Sequence, residues 1–212
     1  MALHVHYEPN RLVGSAARIC MTRLVMTLES LGLPASHAKN LHDFMLLFQR
    51  WNKSINLSAA KSEDEVRSHV LDSLHVIPLL SGRQQVLDVG SGGGFPVVIA
   101  AICMPATQFV SLEPVHKKQA FLRTAARELG LANLDARAER IEDHAERDYD
   151  AATSRATFDL VEWLALGLSH VKHGGIAVGF EAVPRPDLPA GATRYPYDLD
   201  GKSRAIVVAK RA

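Results

Sequence analysis

Residues 85–99, QVLDVGSGGGFPVVI, decide how this 212-residue chain is read. Val86, Leu87 and Val89 form a short apolar run of the kind that makes a buried strand. Gly90, Gly92, Gly93 and Gly94 interrupt it, and Phe95-Pro96 opens a second apolar run through Ile102 that reads as a helix. Proline suits a first helical turn, where its missing N–H would have no partner. A strand, a glycine turn and a helix start together make a cradle for a polar ligand. Glycines let backbone approach closely, and free N–H groups accept negative charge. The spacing is Gly-x-Gly-x-Gly rather than the Gly-x-Gly-x-x-Gly of dinucleotide folds, and a plain connection also uses glycines. Phe109 to Leu112 reads as a second strand ending on Glu113. That acid lies about 20 residues beyond Gly90, the spacing at which a carboxylate meets ribose hydroxyls. The alternative for Glu113 is a solvated acid at a strand end.

From this centre the chain alternates. The pattern predicts strands over 85–89, 109–113, 134–138, 149–153 and 176–180, with helices over 95–103, 115–130 and 157–171 and a polar helical stretch near Ile141. Residues 193–199 and 205–209 read as a terminal hairpin. The expected fold is α/β, a doubly wound, mostly parallel seven-stranded sheet with a C-terminal antiparallel hairpin. Ahead of it, helices are expected over 15–31, 36–55 and from a Ser62/Glu65 capping box to about Ile77. Leu41, Phe44, Phe48, Trp51 and Ile55 share one face of the second. The chain thus divides into a helical extension, 1–80, and a core, 81–212. Ligands of such sheets bind beyond the carboxyl ends of the strands, at the switch point. That rule gathers Gly90–Phe95, Glu113, Ala138-Glu139 and Ser154-Arg155 around one crevice.

Composition narrows the classes. Hydrophobic residues are 47% of the chain, enough for a sizeable core. No window approaches the ~20 apolar residues of a membrane span, and the N-terminus lacks the basic-then-apolar order of a signal peptide. A cytoplasmic protein is expected. Cys20 and Cys103 sit in apolar contexts and read as reduced, buried thiols. The ten histidines are scattered, so no metal site is expected. A net charge of +1 neither demands nor excludes nucleic acid.

A glycine turn without dinucleotide spacing, an acid ending strand two and a terminal hairpin together resemble a class I S-adenosylmethionine-dependent methyltransferase, Rossmann-like in fold. Narrower motifs resemble the RsmG (GidB) family. Trp51-Asn52-Lys53 with Asn56-Leu57-Ser58 is similar to its WNK-x-x-NLT segment, and His69-Val70-Leu71-Asp72-Ser73 to its H-x-LDS segment. Asp88 to Pro96 is similar to its DVGSGGGFPG loop, and Lys117-Lys118 with Phe121-Leu122 to its KK-x-x-FL helix. Ala138-Glu139 and Ser154-Arg155-Ala156 match the next two segments. The resemblance implies methyl transfer from S-adenosylmethionine to N7 of a guanine in the decoding-region loop of bacterial 16S ribosomal RNA. By the same resemblance Gly90, Phe95, Ala138, Glu139 and Arg155 contact S-adenosylmethionine. Val97, Pro114 and Phe180-Glu181-Ala182 depart from the family's usual glycine, serine and Leu-Lys-Gly. If that lysine touches RNA phosphate, Glu181 weakens binding unless the chain compensates elsewhere.

N7 of guanine is a lone-pair acceptor on the neutral base, so attack needs positioning rather than a general base. Gly90, Gly92 and Gly94 are expected to pack the turn against the methionine part of the donor, and Glu113 to take its ribose. Asp88 either orients the turn and caps nearby N–H groups or meets the donor's amine. Phe95 lies against the donor or packs in the core. Ala138 and Glu139 are expected near adenine, Glu139 alone reading equally as a solvated acid. Arg155 is the candidate catalytic residue by positioning, set against a surface ion pair. Lys53, Arg67, Lys117, Lys118 and Arg123 are candidates for RNA phosphate. Trp51 stacks on a flipped base or, as its helical stripe favours, packs inward. His69, Asp72 and Ser73 are placed to cap the pocket from the helical extension. The implied partner is 16S rRNA or the small ribosomal subunit, with a monomer as the expected state. The competing readings are a small-molecule methyltransferase on the same fold, a Rossmann-type oxidoreductase and a non-catalytic ribosome-binding protein.

Overall fold

The computed structural model of the chain describes residues 15–212. Three helices lead in: α1 (Ser15–Ser30), α2 (His37–Ile55) and α3 (Glu63–Leu74). The Ser62 hydroxyl accepts from the Glu65 N–H while the Glu65 carboxylate accepts from the Ser62 N–H, which starts α3 as its sequence predicts. The helix stops at Leu74, short of Ile77, and a 3-10 turn, Ile77–Leu80, carries Pro78 instead.

The sheet follows: β1 (Gln85–Val89), α4 (Val97–Cys103), β2 (Gln108–Leu112), α5 (His116–Glu128), β3 (Leu134–Arg137), β4 (Tyr149–Ser154), α6 (Leu160–Leu168), β5 (Val171–Glu181), β6 (Thr193–Leu199) and β7 (Lys202–Lys210). The seven strands lie in the order β3-β2-β1-β4-β5-β7-β6. The first five run parallel, and β7 is antiparallel to both β5 and β6. β1 is buried on both faces, as apolar layers on either side require. One layer joins Val86, Phe109, Ala151 and Ile176 to α1 through α5; the other joins Leu87, Leu112, Ala152 and Ala177 to α6. Helices change face between β1 and β4, which makes that pair the switch point.

Several boundaries differ from the sequence pattern for local reasons. Pro96 is the residue preceding α4, after a cis Phe95–Pro96 bond, rather than its first helical residue. The stretch at Ile141 is a turn, because buried His144 bonds Tyr149 Oη at 2.9 Å and pulls the segment onto the sheet. α6 starts at Leu160 because the Asp159 carboxylate accepts from the N–H groups of Val161 and Glu162. β5 begins early, at Val171, because Val171 pairs with Tyr149 of β4, while Gly174 and Gly175 bond Arg211 beyond the end of β7.

Candidate active site

The turn after β1 is fixed from below by a buried hydroxyl network. Asp88 accepts from Ser91 Oγ at 2.5 Å and Thr153 Oγ1 at 2.6 Å, and Ser111 Oγ donates to Ser91 Oγ at 2.7 Å. One acid at the end of β1 therefore ties β2 and β4 to the turn. Burial pushes the Asp88 carboxyl up to about 6, against these hydrogen bonds, which lower it. Asp88 underlies the turn and is not among the residues that line the cavity above it.

Gly90 has φ +71° and Gly92 φ +51°, both in the left-handed region. A Cβ on Gly90 would lie 2.3 Å from Thr157 Oγ1, whereas one on Gly92 would meet only Gly90 O, at 3.7 Å. Gly90 thus makes room for the β4 loop, and Gly92 leaves space open to a ligand. Gly94, φ +87°, is filled instead by Val98 of α4.

Above the turn lies a cavity of about 410 Å3, bounded by Gly90–Gly93, Phe95, Glu113, Lys118 and Arg155. Glu113, buried at the end of β2, accepts from the Gly92 N–H at 2.8 Å and the Val115 N–H at 2.9 Å. A carboxylate offers about four acceptor positions, so each oxygen keeps one. Arg155, following β4, donates to Asp72 of α3 at 2.9 Å and lies 3.4 Å from His69 Nδ1. Its guanidinium sits 5.2 Å from the Phe95 ring centroid. Both partners of the Arg155–Asp72 pair retain 15% side-chain exposure. Burial, then Arg155, lowers the pKa of His69, so it accepts as a neutral ring. Ala156 takes φ +57°, uncommon for alanine, and forms the floor between this cavity and a neighbouring one.

Phe95 both lines the cavity and packs against Phe44 and Phe48, with centroids at 5.5 and 5.1 Å. Trp51 packs on Phe121 at 5.7 Å, the inward alternative for that residue. Ser73 is buried and bonds His69 O, facing away from the cavity. Ala138 is exposed, and Glu139 lies 3.2 Å from His144; neither lines the cavity with Gly90 and Glu113. Lys118 does line it, while Lys53, Lys117 and Arg123 are exposed. Arg67 corrects the expected basic set. Its side chain is 11% exposed and bonds Asp64 at 2.7 Å, because α1 covers it. Glu181 is also drawn inward: Arg194 on β6 donates to it from Nε at 2.5 Å and Nη2 at 2.9 Å, and the Arg185 N–H at 2.9 Å.

The sequence pattern missed Thr153 and Thr157, which hold the turn, and Tyr197, which donates to Asp72 at 2.7 Å. Strand alternation gave no signal for Tyr197, because exposed Tyr195 lies two residues away on the same face.

This strand order, with a glycine turn and a ribose-spaced acid at the switch point, defines a class I methyltransferase fold. A Bacillus cereus O-methyltransferase in complex with SAH superposes with TM-score 0.56 at 16% identity, covering 80% of this chain and 91% of that one. TrmN from Thermus thermophilus gives 0.53 at 19% identity, covering 68% and 49%. Within that class, residues 37–182 match the GidB family, described as rRNA small subunit methyltransferase G, and the chain belongs to that family. A ribosomal RNA small subunit methyltransferase G from Neisseria gonorrhoeae (strain NCCP11945) is 36% identical over 180 residues, 78% of this chain and 85% of that protein. One from Laribacter hongkongensis is 41% identical over 152 residues, 70% and 73%. Among the described residues, no helix is long and apolar enough to cross a membrane, and no group of three acids, histidines or cysteines is placed to hold a metal.

Proposed function

We propose that this protein transfers a methyl group from S-adenosylmethionine to N7 of a guanine in the decoding-region loop of bacterial 16S ribosomal RNA, acting as a cytoplasmic monomer on the RNA or the small subunit. The carrying observation is the cavity over the β1 turn, in a chain of the rRNA small subunit methyltransferase G family. Its residues fit the donor. Gly92 leaves the space that a side chain would take, Glu113 keeps acceptor positions for a ribose diol, and the volume of about 410 Å3 falls among cofactor sites of roughly 300–1,000 Å3.

Bound there, S-adenosylmethionine supplies a methyl group already activated on a sulfonium. Guanine N7 brings its own lone pair. The protein's residues are therefore asked for alignment, which alone supplies a large part of such barriers. Asp88, Ser91, Thr153 and Thr157 hold the turn; Glu113 fixes the ribose; Asp72 and His69 hold Arg155 at the entrance from β4. Lys118, Lys117, Arg123 and Lys53 supply phosphate contacts. We assign Ala138 and Glu139, which follow β3, to the adenine end.

The test uses labelled S-adenosylmethionine and small subunits lacking the modification, with chemical cleavage at N7-methylguanine. Label at one guanine is expected. No label while the donor still binds overturns the reading.

A further inference from the structure

A second cavity, about 350 Å3, lies beside the first and shares Arg155 and Ala156 with it. Its other walls include Asp72 of α3, Phe180 and Glu181 of β5 and Tyr197 of β6. Glu181 already accepts three hydrogen bonds, two from Arg194 and one from the Arg185 N–H. Asp72 accepts fewer. Its Oδ1 accepts from Tyr197 Oη at 2.7 Å and its Oδ2 from Arg155 Nη1 at 2.9 Å, which leaves one acceptor position on each oxygen. These two bonds hold the carboxylate still. Phe180 lies 6.0 Å from the same guanidinium and offers a flat apolar surface of the kind that stacks an unpaired base.

We infer that this second cavity receives the flipped target guanine, and that Asp72 selects guanine by accepting its N1–H and 2-amino hydrogens while Arg155 donates to O6. The inference rests on the guanine-N7 reading above. Its argument is one of order. Around guanine the groups run N7, O6, N1, 2-amino. Across the protein the order is donor cavity, Arg155, Asp72. Matching the two turns N7 toward the donor cavity. Adenine in that place would set its amino group against Arg155 and its bare N1 against the carboxylate, two repulsive contacts.

The experiment compares small subunits reconstituted with guanosine or inosine at the target, inosine lacking only the 2-amino group. The wild-type protein is expected to methylate the inosine subunit with kcat/KM about tenfold lower, the cost of one buried acceptor left unpaired. Asp72→Asn is expected to bind S-adenosylhomocysteine within threefold of wild type, to lose on the order of a hundredfold on guanosine subunits, and to treat the two subunits alike. If its turnover is too low to read, competition binding of the two subunits with S-adenosylhomocysteine bound gives the same comparison. A wild-type protein indifferent to inosine, or an Asp72→Asn variant that keeps the preference, overturns the inference. Loss of S-adenosylhomocysteine binding in Asp72→Asn overturns it too, by assigning Asp72 to the fold or the donor cavity. No methylation of the guanosine subunit by wild type overturns the guanine-N7 reading itself.

Discussion

Replacing Gly90 by alanine tests how the turn and the β4 loop depend on each other. At φ +71° a Cβ meets the following carbonyl, a cost of roughly 1–2 kcal/mol. The same Cβ would lie 2.3 Å from Thr157 Oγ1, 2.4 Å from its Cγ2 and 2.8 Å from its Cβ. Thr157 must move aside, at about 1–3 kcal/mol for forced overpacking. Moving it breaks the Thr157 Oγ1 bond to Gly90 O, 3.2 Å long, worth about 1 kcal/mol. Gly90→Ala should therefore lose about 3–6 kcal/mol, a large share of a typical domain's roughly 5–15 kcal/mol. Urea unfolding at constant slope measures it, and Thr157→Gly in the same chain should recover the steric part, about 1–3 kcal/mol. Gly92→Ala is the contrast. Its Cβ meets nothing closer than 3.7 Å, so about 1–2 kcal/mol of stability is lost while calorimetric binding of S-adenosylhomocysteine falls at least tenfold. Equal stability of the Gly90 and Gly92 variants would refute this account of the turn.

The other expectations concern single groups. Arg155→Ala should leave the fold intact and lower methyl transfer on the order of a hundredfold, checked by turnover beside circular dichroism; wild-type turnover removes Arg155 from the site. Asp88 has a folded-state pKa raised to about 6, so its contribution to stability is full below about pH 4, is lost as pH rises to about 6, and is flat beyond. The full loss is about 3 kcal/mol, and the gap in urea-derived unfolding free energy between wild type and Asp88→Asn should shift by about 2 kcal/mol between pH 4 and 7; a constant gap contradicts the assignment. Glu181→Lys should lower the urea midpoint, because it sets a second cation against Arg194 beside a buried position, and Arg194→Glu in the same chain should restore part of the loss. Urea midpoints of the two single variants and the double variant read that coupling directly.

The parts visible in the sequence are those set by local chemistry. The strand, glycine turn and helix of residues 85–103 carry a period change and a run of glycines that few other structures accommodate. The Ser62/Glu65 capping box is likewise complete within four residues. Boundaries failed where a distant partner decided them. His144 turns residues 141–143 away from helix through Tyr149 and the sheet, and Tyr149 of β4 lengthens β5 by pairing with Val171. The site divides in the same way. Gly90, Gly92, Phe95, Glu113, Lys118 and Arg155 come together at one cavity because the switch-point rule follows from strand order. Arg67 has the same charge as Lys118, and nothing in its spacing says that α1 will cover it. Tyr197 and Asp72 are 125 residues apart, and their bond exists only because β6 is carried round beside α3.

Glu181 shows why a departure from a family pattern is read poorly from one position. Standing alone, an acid where the resemblance leads one to expect lysine looks like a weakened RNA contact. In the fold, Glu181 pairs in register with Ala205 of β7, and Ala205 pairs in turn with Pro196 of β6. Arg194 lies two residues from Pro196, on the same face of the strand. The small Ala205 leaves room for the guanidinium to reach across β7 and grip both carboxylate oxygens. Arg194 and the Arg185 N–H hold the Glu181 carboxyl below its usual range, so it stays ionised and neutralised inside the wall of the second cavity. The acid therefore presents no free negative charge to RNA. It ties the C-terminal hairpin to the end of β5, and the same hairpin delivers Tyr197 to Asp72. A lysine restored at 181 without its arginine changed would loosen the strand that holds the Asp72–Arg155 pair, so it would weaken the site it was meant to repair.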